Sequence, residues 1–101
     1  MPLLSMPSFE QHCADCIAQF GKPYADVHRW LDEFAGHPPH GMRHRKFRHH
    51  RAGFEEVRRR WGEEAAAAAR LHIVADLKME GWMEDQPFPK DEQDYVRMGL
   101  F

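Results

Sequence analysis

Apolar side chains at helical spacing, interrupted by glycine and proline, constrain the fold of this chain more than any other feature. After Ser8, a favoured residue at a helix start, apolar residues recur three or four positions apart. The same spacing returns in three further segments, and the chain shows no alternating pattern long enough to predict a strand. We therefore expect an all-α protein, a compact bundle of four main helices plus a short C-terminal helix.

Glycine and proline mark the predicted helix ends, because glycine suits a helix stop and proline a first helical turn. The main helices are predicted over residues 9–20, 24–34, 39–61 and 63–80, and a short one begins at 91–94. Gly62 separates the third and fourth helices. We expect these two helices to fold back on each other there.

A chain of 101 residues suits a single domain. We expect residues 1–7 to form an N-terminal tail and residues 82–101, whose end is apolar, to pack on the bundle as an extension. The sequence has no apolar run of roughly 18 residues, so no membrane span is expected. Its start lacks the basic and apolar regions of a secretion signal, which predicts a cytoplasmic protein.

The stretch from residue 37 to residue 51 holds five of the eight histidines and five of the fourteen lysines and arginines. Projected at about 100° per residue, the predicted third helix places His50 inside its apolar stripe and His40 at the edge of that stripe. His44 lies about a quarter turn away. His49 points to the opposite side, so we expect His37 and His49 at the surface.

The fourth predicted helix carries His72 and Asp76 one turn apart on one face. If the third and fourth helices fold back at Gly62, His50 lies near Val74, between these two side chains. The candidate metal ligands are therefore His40, His44, His50, His72 and Asp76. Imidazole and carboxylate suit zinc, iron, manganese or nickel, and helical bundles often build metal sites from facing helices.

A metal at this position predicts one activity, the metal-dependent hydrolysis of a phosphate-containing substrate. Arg43, Arg45 and Arg51 are then candidates to bind the phosphate oxygens. The pattern loosely resembles the HD-type phosphohydrolases, which are helical and use His and Asp ligands. This chain lacks an adjacent His-Asp pair and is short for that fold, so we do not transfer their activity to it.

Two other function classes remain open. In the first, the buried histidines pair with carboxylates or backbone carbonyls, bind no metal, and serve a non-enzymatic interaction module that forms a homodimer or binds a protein partner. In the second, the basic segment at residues 43–60 binds nucleic acid, although a pI of 6.4 disfavours this as the main task. Arg45 and His50 also have the R-x4-H spacing of the HEPN ribonucleases, a short and unspecific motif.

A family resemblance is carried by Arg43-His44-Arg45 followed by His49-His50, after a helix containing Trp30-Leu31-Asp32. This pattern resembles small bacterial and phage-borne proteins of unknown function that share an R-H-R-x3-H core. The resemblance covers residues 8–80. It implies a helical fold and no named activity, and it favours a role for His44 and His49.

Overall fold

The computed structural model describes residues 8–35 and 41–100, and the side chains of the second range from residue 44 onward. Within these ranges the chain forms five α-helices, one 3-10 helix and no strand. The α-helices are α1 (Phe9–Phe20), α2 (Ala25–Leu31), α3 (Arg51–Trp61), α4 (Glu63–Met79) and α5 (Glu92–Arg97), and the 3-10 helix is Gly41–Phe47. The predicted all-α bundle with a short C-terminal helix is confirmed.

The predicted helix ends match the capping chemistry of α1 and α5. The Ser8 hydroxyl accepts a hydrogen bond from the backbone N–H of Gln11 at 3.1 Å, and Gly21 ends α1 in the left-handed region at φ 80°. The Asp91 carboxylate caps α5 by accepting from the Asp94 N–H at 2.9 Å. Local sequence therefore determines where these helices begin and end.

The predicted continuous helix over residues 39–61 is wrong. The chain forms a 3-10 helix over Gly41–Phe47, bends, and starts α3 only at Arg51. His50 is extended and caps α3, because its Nδ1 accepts from the Gly53 N–H at 3.1 Å. The bend needs glycine at position 53, where a Cβ would lie 1.8 Å from the Arg48 carbonyl oxygen. Residues 39 and 40 of the predicted helix lie outside the described residues.

Helix α4 is the centre of the fold, with an apolar face and a polar face. Its most extensive contact is with α3, and four buried alanines leave room for neighbouring helices: Ala65, Ala66, Ala68 and Ala69. The apolar face is the one that carries Ile73 and Leu77. The buried apolar core is Val27, Leu31, Val57, Ala65, Ala69, Ile73, Leu77, Trp82 and Tyr95. The polar face carries His72 and Asp76 and points toward α1 and α2, which also contact α4.

Much of the chain after α4 lies against the bundle. Trp82 and Tyr95 are buried members of the core, and the Arg51 N–H donates to the Pro89 carbonyl at 3.0 Å. Helix α5 also contacts the 3-10 helix. None of the helices in the described ranges is both long and apolar enough to cross a membrane.

Candidate metal centre

Four side chains from three parts of the chain meet between α2, α4 and the bend before α3. They are Asp32, His49, His72 and Asp76, and each offers one ligand atom within 4.8 Å of all the others. Asp32 directly follows α2, and His49 belongs to the bend. His72 and Asp76 lie one turn apart on α4. We call this group the His/Asp cluster.

The closest contacts of the His/Asp cluster involve its two imidazoles. His49 Nε2 lies 3.2 Å from His72 Nε2, 3.0 Å from Asp76 Oδ2 and 3.3 Å from Asp32 Oδ1. His72 Nε2 lies 3.3 Å from Asp76 Oδ2 and 3.5 Å from Asp32 Oδ2. Four ligands about 2.0–2.1 Å from a tetrahedral ion are roughly 3.3–3.4 Å apart. The contacts among His49, His72 and Asp76 are close to these edges, and Asp32 approaches each imidazole through a different oxygen.

Burial of the His/Asp cluster is uneven. The side chains of His49 and His72 are fully buried and that of Asp76 is 3% exposed, whereas that of Asp32 is 31% exposed. Solvent therefore reaches the cluster at the Asp32 carboxylate. The other three ligand atoms face protein alone, where an uncompensated charge is costly.

Two further imidazoles border the cluster. His44 Nε2 lies 3.1 Å from Asp32 Oδ1. His12 of α1 stacks on the His72 ring with 3.5 Å between centroids, and its Nε2 lies 3.4 Å from Asp76 Oδ1. Among the described residues neither His12 ring nitrogen nor Asp76 Oδ1 has a hydrogen-bond partner, which is costly for buried polar atoms.

A buried ion pair flanks the cluster on the side of the C-terminal extension. Arg45 Nη1 donates to Glu80 Oε2 at 2.8 Å, and the same oxygen accepts from the Tyr95 hydroxyl at 2.8 Å. Arg45 Nη2 also lies 3.6 Å from Asp76 Oδ1. Burial and the bond to Glu80 raise the pKa of Tyr95 well above its usual range, so this hydroxyl remains a donor.

The two carboxylates of the cluster stay ionised at physiological pH. Burial disfavours their charged form, but contacts to surrounding imidazoles outweigh it and hold the pKa of both Asp32 and Asp76 well below the ordinary range. With neutral imidazoles, the two carboxylates of the cluster carry two negative charges. Among the described side chains, the guanidinium of Arg45 lies 3.6 Å from Asp76 Oδ1 but also pairs with Glu80. A divalent cation would neutralise the two carboxylate charges.

Behind the cluster, His28 of α2 contacts His72 from the side opposite the ligand atoms. His28 Nδ1 lies 2.9 Å from His72 Nδ1, and His28 Nε2 lies 2.9 Å from the Pro23 carbonyl oxygen. Burial, followed by the neighbouring imidazoles of His72 and His12, lowers the pKa of His28 to about 4. His28 is therefore neutral at physiological pH.

The structure distributes the predicted ligands unevenly. It brings His72 and Asp76 together in the cluster and places His44 beside it, against Asp32. His50 caps α3 and is not one of the four clustered residues. His40 lies outside the described residues.

His49 corrects the expectation of a surface position, because this residue is fully buried. The helical projection assigned it to the wrong side since the chain bends at residues 48–50 and is not helical there. Sequence reasoning also missed Asp32, His12 and His28. One signal was available: His28 and Asp32 repeat the H-x3-D spacing of the α4 pair.

The predicted phosphate-binding arginines are not gathered at the cluster where their side chains are described. Arg45 pairs with Glu80 as above, and Arg51 is exposed at the start of α3. The side chain of Arg43 lies outside the described part of the chain. Arginines of the basic segment on α3 bind nearby acids: Arg58 contacts Glu55 and Glu63, and Arg59 and Arg60 contact Glu56.

Comparison with known proteins identifies the family of the chain and no function. A family model described as a domain of unknown function, DUF6915, matches residues 7–98, so the chain belongs to this family. Neither the curated proteins nor the solved structures contain a significant match. The expected family of unknown function is thus confirmed in that general form. A bacterial or phage origin and a shared R-H-R core stay predictions.

Proposed function

We propose that the protein binds one divalent transition-metal ion per chain through Asp32, His49, His72 and Asp76. The observation that carries this proposal is the convergence of two imidazole Nε2 atoms and two carboxylates with contacts of 3.0–3.5 Å. Two imidazoles and two carboxylates suit zinc, iron, manganese or nickel.

Charge gives independent support. A dication would neutralise the two negative charges of the Asp32 and Asp76 carboxylates without protonating any imidazole. It also provides a cation next to Asp76, whose Oδ1 lacks a hydrogen-bond partner among the described residues. The competing explanation is that protons replace the metal, so that one or more histidines are imidazolium ions.

Elemental analysis of protein purified without a His-tag or nickel column tests the proposal. We expect about one transition-metal ion per chain in the wild type and none after His72→Gln or Asp76→Asn. His50→Asn is the matched control, because it removes a buried histidine outside the cluster and asparagine keeps the helix cap. Stoichiometric metal in folded His72→Gln, or a folded wild type that takes up no metal on titration, would contradict the proposal.

A metal-dependent hydrolase is a second candidate, favoured by the partial exposure of Asp32. At this carboxylate a water molecule or substrate can approach the proposed ion. A water bound there as a fifth ligand would be acidified. We expect metal-loaded protein to hydrolyse phosphoester substrates, and Asp32→Asn to lose that activity. Metal binding without hydrolysis across a panel of phosphoesters would leave a binding protein. The dimeric or partner-binding module and nucleic-acid binding through residues 43–60 stay predictions.

A further inference from the structure

His28 lies outside the four clustered residues but contacts one of them, His72, directly. Both rings are buried, and they share a contact of 2.9 Å between their Nδ1 atoms. On its far side, His28 Nε2 lies 2.9 Å from the Pro23 carbonyl oxygen. The three groups therefore form a chain from the backbone before α2 to the candidate metal ligand on α4.

The Pro23 carbonyl sets the direction of both hydrogen bonds in this series of three groups. A carbonyl oxygen only accepts, so His28 Nε2 carries a proton and donates it. A neutral imidazole has one donor and one acceptor nitrogen, so Nδ1 of His28 accepts. The Nδ1 of His72 must then donate. Neutral His72 consequently has an unprotonated Nε2, and this is the atom that faces the other three ligand atoms.

We propose that His28 is a positioning residue that holds His72 in the tautomer able to bind a metal through Nε2. This inference rests on the proposed metal site. Ligating histidines commonly donate their second nitrogen to a carboxylate or a carbonyl. Here the Pro23 carbonyl fixes the tautomer of His28, and His28 in turn fixes the tautomer of His72. A neutral imidazole in this position adds no further negative charge beside Asp32 and Asp76.

The backbone around Pro23 gives a second, independent observation. Tyr24 is a non-glycine residue in the left-handed region, at φ 53°, a conformation that costs free energy for an L side chain. Its hydroxyl bonds to Glu64 of α4. This strained residue directly follows the Pro23 carbonyl that accepts from His28. The hydrogen bond between Tyr24 and Glu64 of α4 thus holds the Pro23 carbonyl in position to accept from His28.

Zinc affinity of three variants tests the role of His28 by competition with a chromophoric chelator. His28→Leu removes the acceptor, and we expect zinc binding to weaken about 10- to 100-fold, as for other residues that orient a ligand. His28→Gln offers an amide oxygen to the His72 N–H and should restore most of the affinity. Val27→Ala, a core change next to His28, should lower stability without changing the zinc affinity of the folded protein.

Nitrogen NMR on the zinc-free wild type gives a readout that a packing role would not affect, because no metal then fixes the tautomer of His72. We expect the shared proton on Nδ1 of His72, with a scalar coupling across the hydrogen bond to Nδ1 of His28. A proton on Nδ1 of His28 would overturn the inference even if neither His28 variant folds. Equal zinc affinity in His28→Leu and Val27→Ala would also overturn it and leave the metal site intact. A wild type that binds no zinc or other transition metal would refute both proposals.

Discussion

The two faces of α4 obey different physical rules. On one face, Ile73 and Leu77 belong to the apolar core together with Val57 of α3 and with Trp82 and Tyr95 of the C-terminal extension, and their stabilisation depends on apolar area and shape. On the other face, His72 and Asp76 meet polar side chains that are almost as deeply buried. Burial is similar, but the apolar face is complete with protein atoms alone, whereas the polar face brings two carboxylates together. On the proposal above, a bound cation balances the charge of these carboxylates.

Metal removal should produce the largest effect, and only on the polar face. At free metal about 1,000-fold above the dissociation constant, binding adds about 4 kcal/mol to the free energy of unfolding. We expect a chelator to remove this stabilisation, measured by urea denaturation with and without the metal. The same chelator should leave His72→Gln unchanged. A wild-type curve unaffected by the metal would show that the two faces do not differ in this way.

Shortening a side chain on the apolar face should lower the free energy of unfolding by nearly as much as metal removal does, without affecting metal binding. Ile73 is fully buried, so Ile73→Ala should lower the free energy of unfolding by about 3 kcal/mol through lost burial and a residual cavity. Metal stoichiometry should stay the same. Ile17→Ala is the control, because Ile17 is 52% exposed on α1. Loss of metal in folded Ile73→Ala would show that the two faces are coupled.

Acid should lower the free energy of unfolding of the metal-free protein, and the effect per pH unit should be smaller than that of the two changes above. Burial lowers the pKa of His28 to about 4, and it also lowers the pKa of His50. Both groups therefore have a lower pKa in the folded protein than in the unfolded chain. The unfolded chain therefore binds more protons below about pH 6.5, and stability falls as pH falls toward 4. Each such group contributes a slope of up to about 1.4 kcal/mol per pH unit. Urea denaturation at pH 7 and pH 5.5 measures it.

His28→Gln is the matched variant for this pH experiment, since glutamine does not titrate. Its slope should be shallower than that of the wild type. A metal-free wild type that is equally stable at both pH values would show that the histidines are already protonated when buried. That result would favour imidazolium ions, rather than a metal, as the cations of the cluster.

The fold-back of the third and fourth predicted helices was inferred from Gly62 alone, and it places His50 opposite Val74. In that register His49 and Arg45 face residues 75 and 79. The observed contacts, His49–Asp76 and Arg45–Glu80, each differ from it by one residue. The helical projection was wrong because it treated residues 39–61 as one helix. A short irregular bend turns His49 into the cluster while His50, which is also buried, caps α3, and nothing in local propensity distinguishes the two histidines.

Local interactions in the sequence determined the helices and their ends. Ser8, Gly21 and Asp91 act within a few residues of their own position, and the H-x3-D spacing places His72 and Asp76 on one face whatever the surroundings. Only the tertiary structure decided the partners of that face. Asp32 and His49 reach it because α2 ends and the bend before α3 begins beside α4, and such contacts depend on how distant elements pack.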